Sequence, residues 1–345
     1  MDLADRLHGV QVRAPFQAVG RPLFRHVGCA IHVGYENSIR AALAGESPDA
    51  NWQELTRLLV EHLASGEKMV KAVLLSSAQK TVLRDWIRQR TTKGGPLATA
   101  FPGVAPKADL VTHQHSDPAE VGWLDLVDGV AALYTSSRMY LRRVELAQSN
   151  LKDGAADGFE VVYAMKREFV QTYDALYLPT DGDWALICTD FPRGVPGNFA
   201  VPSQANIAYQ LRKALGGSIS YVNFWPAVEG LYKSAEGKLV DYGFVVEGKA
   251  VNHHAARRIS ESLRDAKYDK AGAKEVGDDL DVFKVSIQWQ FAHPGQPKTV
   301  PEITLPGTAH HLATGKVPVL DHVIVRNCLT SSDMSSVMSK VRQFL

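Results

Sequence analysis

The chain has 345 residues, 45% hydrophobic and 22% charged, the composition of an ordinary globular protein with enough apolar side chains to build a core unaided. Its 38 basic and 37 acidic side chains leave a net charge of +1, which excludes both a disordered polyelectrolyte and a global field drawing the molecule to nucleic acid or an anionic membrane. No window reaches about 18 consecutive apolar residues, and the opening MDLADRLHGV lacks the apolar stretch of a signal peptide, so a soluble, cytoplasmic protein with no membrane span is expected.

The first apolar run, Phe24 to Val33, suits a strand, and a helix is expected from Glu36 to Leu43. Asn51 precedes a helix from Trp52 to Ala64, in which Leu55, Leu58, Leu59 and Leu63 recur at helical spacing. Met69 to Leu75 reads as a strand. Ser77 is placed to cap a helix carrying Val82, Leu83, Trp86 and Ile87. From Thr91 to Lys107, glycines and prolines punctuate the chain too often for a regular element. A boundary there divides a helix-rich α/β lobe, residues 1–95, from a larger α+β region, residues 96–345.

Strands are expected at Phe159–Met165, Ala175–Leu178, Trp184–Thr189, Ser218–Phe224, Lys238–Val246, Val282–Trp289 and His322–Cys328. Helices are expected at Ser203–Leu215, His254–Lys267 and Ser332–Phe344. Ala235 to Lys238 and Val246 to Lys249 resemble two hairpin turns, which join antiparallel neighbours. The fold class is therefore α+β, a mixed or antiparallel sheet with flanking helices. Cys29, Cys188 and Cys328 lie far apart beside apolar runs, as buried free thiols do.

The densest chemical pattern is Thr112-His113-Gln114-His115-Ser116-Asp117-Pro118. Imidazoles at i and i+2 with a carboxylate at i+4 are metal-ligand types that can converge from a loop, so His113, His115 and Asp117 are the candidate metal ligands. The segment resembles the HxHxDH loop of metallo-β-lactamase-fold hydrolases, including the preceding Thr112 and the later Gly122 and Leu124. That resemblance implies a metal-dependent hydrolase. Pro118 stands where the family has its next histidine, and the following histidine, His253, is far away.

Asp241, Glu247 and Lys249 resemble the carboxylates and lysine of the PD-(D/E)xK nuclease core, although Glu-Gly-Lys also occurs at Glu236 to Lys238, as turn chemistry would produce. Asp181, Asp183 and Asp190 bracket a strand, where carboxylates serve as metal ligands or as solvated ends. The pairs His253-His254 and His310-His311 point adjacent side chains in different directions and do not chelate alone. No Walker loop, GxGxxG, HExxH or GxSxG is present, which disfavours an NTPase, a Rossmann oxidoreductase and an α/β-hydrolase and leaves the cofactor unknown.

Three basic clusters remain. Lys80, Arg84 and Arg88 recur every four residues and continue into Arg90 and Lys93. Arg138, Arg142 and Arg143 flank Tyr140, and Arg257, Arg264 and Lys267 form a third stripe. Such clusters neutralise phosphates, though acidic neighbours equally suit a solvated face. The leading expectation is an accessory protein that contacts nucleic acid or a protein partner through basic helices, including as a subunit of an assembly. The rival is a metal-dependent hydrolase or nuclease.

Overall fold

The computed structural model describes residues 2–147, 149, 152, 158–246, 250–256, 262–266, 280–313 and 316–345. The helices are α1 (Leu3–Arg13), α2 (Arg21–His26), α3 (Gly34–Leu43), α4 (Trp52–Ser65), α5 (Ser77–Arg88), α6 (Pro96–Thr99), α7 (Lys107–Thr112), α8 (Val201–Leu215), α9 (Pro226–Lys233), α10 (Ala309–Ala313) and α11 (Ser331–Arg342). The strands are β1 (Lys68–Leu74), β2 (Ala119–Leu126), β3 (Gly129–Glu145), β4 (Tyr163–Leu178), β5 (Trp184–Asp190), β6 (Lys238–Val245), β7 (Val251–Ala255), β8 (Asp281–Gln288), β9 (Glu302–Leu305) and β10 (Val323–Arg326). The protein is α+β. Its ten strands form one antiparallel sheet in the order β2-β3-β4-β5-β1-β10-β9-β8-β6-β7.

The central strand comes from the N-terminal region. β1 pairs Lys68 with Asp190 on one side and with Val325 on the other, so residues 1–95 and 96–345 share one sheet. The Gly/Pro-rich segment from Thr91 to Lys107 is fastened to that sheet. Gln171 accepts from the Ala105 amide at 2.8 Å and donates to the Leu97 carbonyl at 2.9 Å, and the Tyr173 hydroxyl donates to the Gly103 carbonyl at 3.1 Å.

Both faces of the sheet are covered. Ala131, Leu133, Tyr173, Ala175 and Tyr177 join the larger core with Leu7 and Val10 of α1, Leu55, Leu58, Leu59 and Leu63 of α4, and Met334, Val337 and Val341 of α11. Val130, Ala132, Tyr134, Leu176 and Leu178 face the second core, built with Leu83 and Ile87 of α5 and Ile207, Ala208 and Leu211 of α8. This is the strand alternation, odd residues of β3 and β4 to one side and even to the other. Each fully buried leucine contributes about 1.5–3 kcal/mol.

Local chemistry sets the helix ends. Asn51 accepts from the Glu54 amide at 3.0 Å and starts α4. Ser76, one residue before the expected cap, starts α5 by exchanging hydrogen bonds with Gln79. Glu61 of α4 accepts from the amides of Val127 at 2.6 Å and Ser331 at 2.9 Å, tying the β2–β3 turn to the start of α11.

Four expectations are corrected. Phe24 to Val33 is not a strand: Pro22 opens α2, and Leu23, Phe24 and Val27 bury at helical spacing. His254 to Lys267 is not one helix. Its first residues belong to β7 and Leu263–Asp265 is a single 3-10 turn, while residues 257–261 and 267 lie outside the described residues. Ser218 to Phe224 makes only one bridge, Tyr221 to Val73. Finally, the apolar stretch Leu110-Val111 before the histidines is not a strand: Thr112 ends helix α7, and His113 to Asp117 follow it.

Candidate functional site

β3 and β4 stay paired through Glu145 and Tyr163, but their neighbours stop early. β2 reaches only Thr135 of β3, and β5 pairs with β4 only from Ala175 to Tyr177. Beyond Arg138 and Val170 the hairpin therefore continues, among the described residues, as a two-stranded ribbon of about 25 Å. It carries Arg142, Arg143, Lys166 and Arg167 against Glu145 and Glu168, a net charge of 4 − 2 = +2, and all but Glu168 are exposed. An isolated ribbon is marginal in water. Cross-strand contacts support this one: the Arg143 guanidinium lies 3.7 Å from the Tyr163 ring centroid, and Glu168 pairs with Arg142 at 3.2 Å and Lys166 at 3.3 Å. Met139, Leu141, Tyr163 and Met165 share the odd face with Arg143 and Arg167, and all four are exposed.

The root of the ribbon is rigid and charged. Arg138 bonds to Asp174 and Ser203 and donates to the Phe199 carbonyl at 3.3 Å. The Asp190 amide donates to Asp174 at 2.9 Å. Asp190 in turn accepts from Lys68, from the Tyr173 amide at 2.6 Å and from Arg13 at 3.2 Å. Lys68 is fully buried, and its remaining donors reach the carbonyls of Leu63 and Tyr173, each at 2.6 Å. Burial pushes the Tyr173 hydroxyl up to about 12, so it acts as a neutral donor.

Two depressions flank this root and share Tyr140 as a wall. The larger, about 560 Å³, is a groove lined by His115, Asp117, Arg138, Asn198, Ser203 and Asn206 among others. The smaller, about 250 Å³, is lined by Arg13, His62, Glu67 and Arg193 among others.

His62 is buried, bonded to the Cys328 carbonyl at 2.7 Å and 3.4 Å from that of Arg13. Burial holds its pKa below the ordinary histidine value, ahead of the opposing carbonyl contacts. The unfolded chain therefore takes up a proton near pH 6.5 that the folded chain refuses, so this stabilisation is present above that pH and is lost as pH falls. Urea unfolding at pH 7.5 and 5.5 is expected to show a loss of up to about 1.4 kcal/mol from this group. His62→Gln should flatten the slope, and an unchanged slope would mean that other groups produce it.

The candidate metal ligands do not converge. His115 and Asp117 line the groove, whereas His113 is not among its lining residues and meets Ser116 at 3.3 Å. Among the described residues, no group of three or more His, Cys, Asp or Glu side chains could hold a metal ion. Asp241 pairs with Lys284 at 2.5 Å, and Glu247 and Lys249 lie outside the described residues. Asp183 and Asp190 stand at opposite ends of β5, Asp183 paired with Arg342 at 2.9 Å. His254 meets the Tyr242 hydroxyl at 3.0 Å, and His253 packs on Phe283. His311 stacks near Trp225 in α10. Cys29, Cys188 and Cys328 are buried and free.

The basic clusters are separated. Lys80 donates to the carbonyls of Gly182 at 2.6 Å and Thr180 at 3.3 Å, Arg90 lies over Trp86 at 4.2 Å, and Lys93 pairs with Glu120 at 3.0 Å. Arg84 is half-buried and Arg88 exposed on α5. Arg264 donates to the carbonyls of Leu231 at 2.7 Å and Gly237 at 2.9 Å, a structural clasp beside β6. Six strands stand between β6 and β3, so on the order of 30 Å separates Arg264 from the ribbon. Arg257 and Lys267 lie outside the described residues. Among the described residues of the three clusters, Arg142 and Arg143 are exposed side by side, joined by Lys166 and Arg167, which the sequence pattern did not mark out. The expected strand Phe159–Met165 was the available signal, since its continuation carries both. Arg13 and Lys68 had no such signal, because their carboxylate partner is more than a hundred residues away in sequence.

Compared with protein-family models, with curated proteins and with solved structures, the chain finds no match in any of the three. No helix among the described residues is long and apolar enough to cross a membrane.

Proposed function

We propose that the protein binds single-stranded nucleic acid along the β3–β4 ribbon and into the groove at its root, as a non-catalytic binding subunit. The observation that carries this is the ribbon itself: four exposed cations on a hairpin that extends past the sheet, two of which, Arg143 and Arg167, share a face with Tyr163, Met139, Leu141 and Met165. Cations neutralise phosphates, and flat or apolar side chains give unpaired bases a surface to stack on. Tyr140, between the two depressions, offers a further ring where the strand would leave the ribbon. A duplex hides its bases and would engage only the charges.

The same exposed Leu141 and Met165 favour a second reading, a protein partner in a larger assembly. Anisotropy with a labelled single-stranded 20-mer and its duplex separates the two. Binding is expected to be tighter for the single strand and to weaken linearly in log–log form as salt rises. Absence of binding at low salt would leave the protein-partner reading.

A further inference from the structure

Arg13 ends α1 with its side chain 8% exposed. Its Nη1 donates to Asp190 at 3.2 Å, and its guanidinium lies 4.8 Å from the Tyr173 ring centroid. Its Nε and Nη2 are buried and have no acceptor among the described residues. Buried donors are almost always satisfied, and the guanidinium fork is shaped to take two oxygens of one anion.

Arg13 lines the cavity of about 250 Å³. The carboxylates on its walls are already engaged. Asp190 is held by Lys68, Arg13 and the Tyr173 amide. Glu67 accepts from Arg326 at 2.7 Å and from the Asn327 amide at 2.9 Å. Arg193 also lines the cavity and is exposed. Lys68, Arg13, Arg326 and Arg193 outnumber Asp190, Glu67 and the nearby Glu302, even with all three carboxylates ionised.

We propose that this cavity binds one phosphate group, gripped by Arg13 within and by Arg193 at the mouth. Binding requires the guanidinium to turn its Nη2 edge into the cavity it already lines. Since water occupies about 30 Å³ in the liquid, the volume admits a phosphate with room for its substituent. The proposal deepens the nucleic-acid reading, because Tyr140 walls both this cavity and the groove: a strand running off the ribbon would seat a phosphodiester here. A free small-molecule phosphate has the same chemistry.

Thermal unfolding of the full chain in inorganic phosphate, against chloride at matched ionic strength, tests the site. Phosphate also stabilises proteins by exclusion from their surfaces, and Arg193→Gln measures that background without disturbing the buried network. At saturating phosphate the unaltered protein should gain roughly 2–5 °C more than Arg193→Gln does. Equal gains overturn the site. Arg13→Lys should also lose the excess gain; if it fails to fold, Arg193→Gln still decides. Equilibrium dialysis with radiolabelled phosphate then separates the sources. Displacement by a single-stranded oligonucleotide assigns the site to the strand. Retention without displacement supports the site for a small phosphate and counts against the strand reading alone.

Discussion

Asp190→Asn is expected to cost about 3–5 kcal/mol of folding stability, the largest effect of any single substitution proposed here. Lys68 is fully buried, and Arg13 nearly so, and both direct donors at this carboxylate. An amide keeps the shape but removes the negative charge, leaving an ammonium and a guanidinium without their counter-ion. Asparagine also offers one acceptor oxygen where Lys68, Arg13 and the Tyr173 amide now share two. The urea midpoint should fall with little change in slope. Asp241→Asn is the comparison: its pair with Lys284 is partly exposed, and the expected cost is at most about 1 kcal/mol. Lys68→Met combined with Asp190→Asn should recover part of the loss, because the buried ammonium is then gone. A cost below about 1 kcal/mol for Asp190→Asn alone would contradict the role of this carboxylate as the counter-ion of both buried cations.

Neutralising the ribbon should abolish most binding with little change in global stability, since its cross-strand pairs lie outside the core. Arg142, Arg143, Lys166 and Arg167 are exposed, and their pairs with Glu168 and Tyr163 are surface contacts worth little. Changing all four to glutamine is expected to weaken single-strand affinity roughly 100-fold at low salt. It should also flatten the log–log salt slope by about 3, since each phosphate neutralised on a single strand contributes about 0.7. Lys80→Gln with Arg84→Gln and Arg88→Gln removes nearly as much charge from α5. That variant should keep its affinity within about threefold, since α5 packs on the body of the sheet.

Much of the architecture was legible from residue pattern. α4 and α8 carry leucines and isoleucine at helical spacing, and β1, β5, β6 and β8 are apolar runs bounded by turn residues. β3 was not legible. Ala131, Ala132, Leu133, Arg138, Met139, Leu141, Arg142 and Arg143 are mostly good helix formers, and no alternation shows where both faces are buried. Pairing with β4 along sixteen registered positions overrides that preference. The opposite error occurred at Phe24 to Val33, where a short apolar run fits helix and strand alike and the neighbouring helices decide.

The site was less legible than the fold. Basic residues were read along helices, yet Lys80 and Arg264 spend their donors on backbone carbonyls, and Arg138 locks Asp174. A stripe of charge in a sequence does not reveal whether an acceptor from a distant segment will meet it. Arg142 and Arg143 stay outward because β2 and β5 end before reaching them.

Photo-crosslinking of a 4-thiouridine-substituted single strand, mapped by mass spectrometry of the intact protein's peptides, locates the contact without any substitution. The proposed binding mode predicts adducts on peptides containing Tyr140 and Tyr163. Adducts confined to α5 or to the β6–β7 edge, with none on the hairpin, would contradict it.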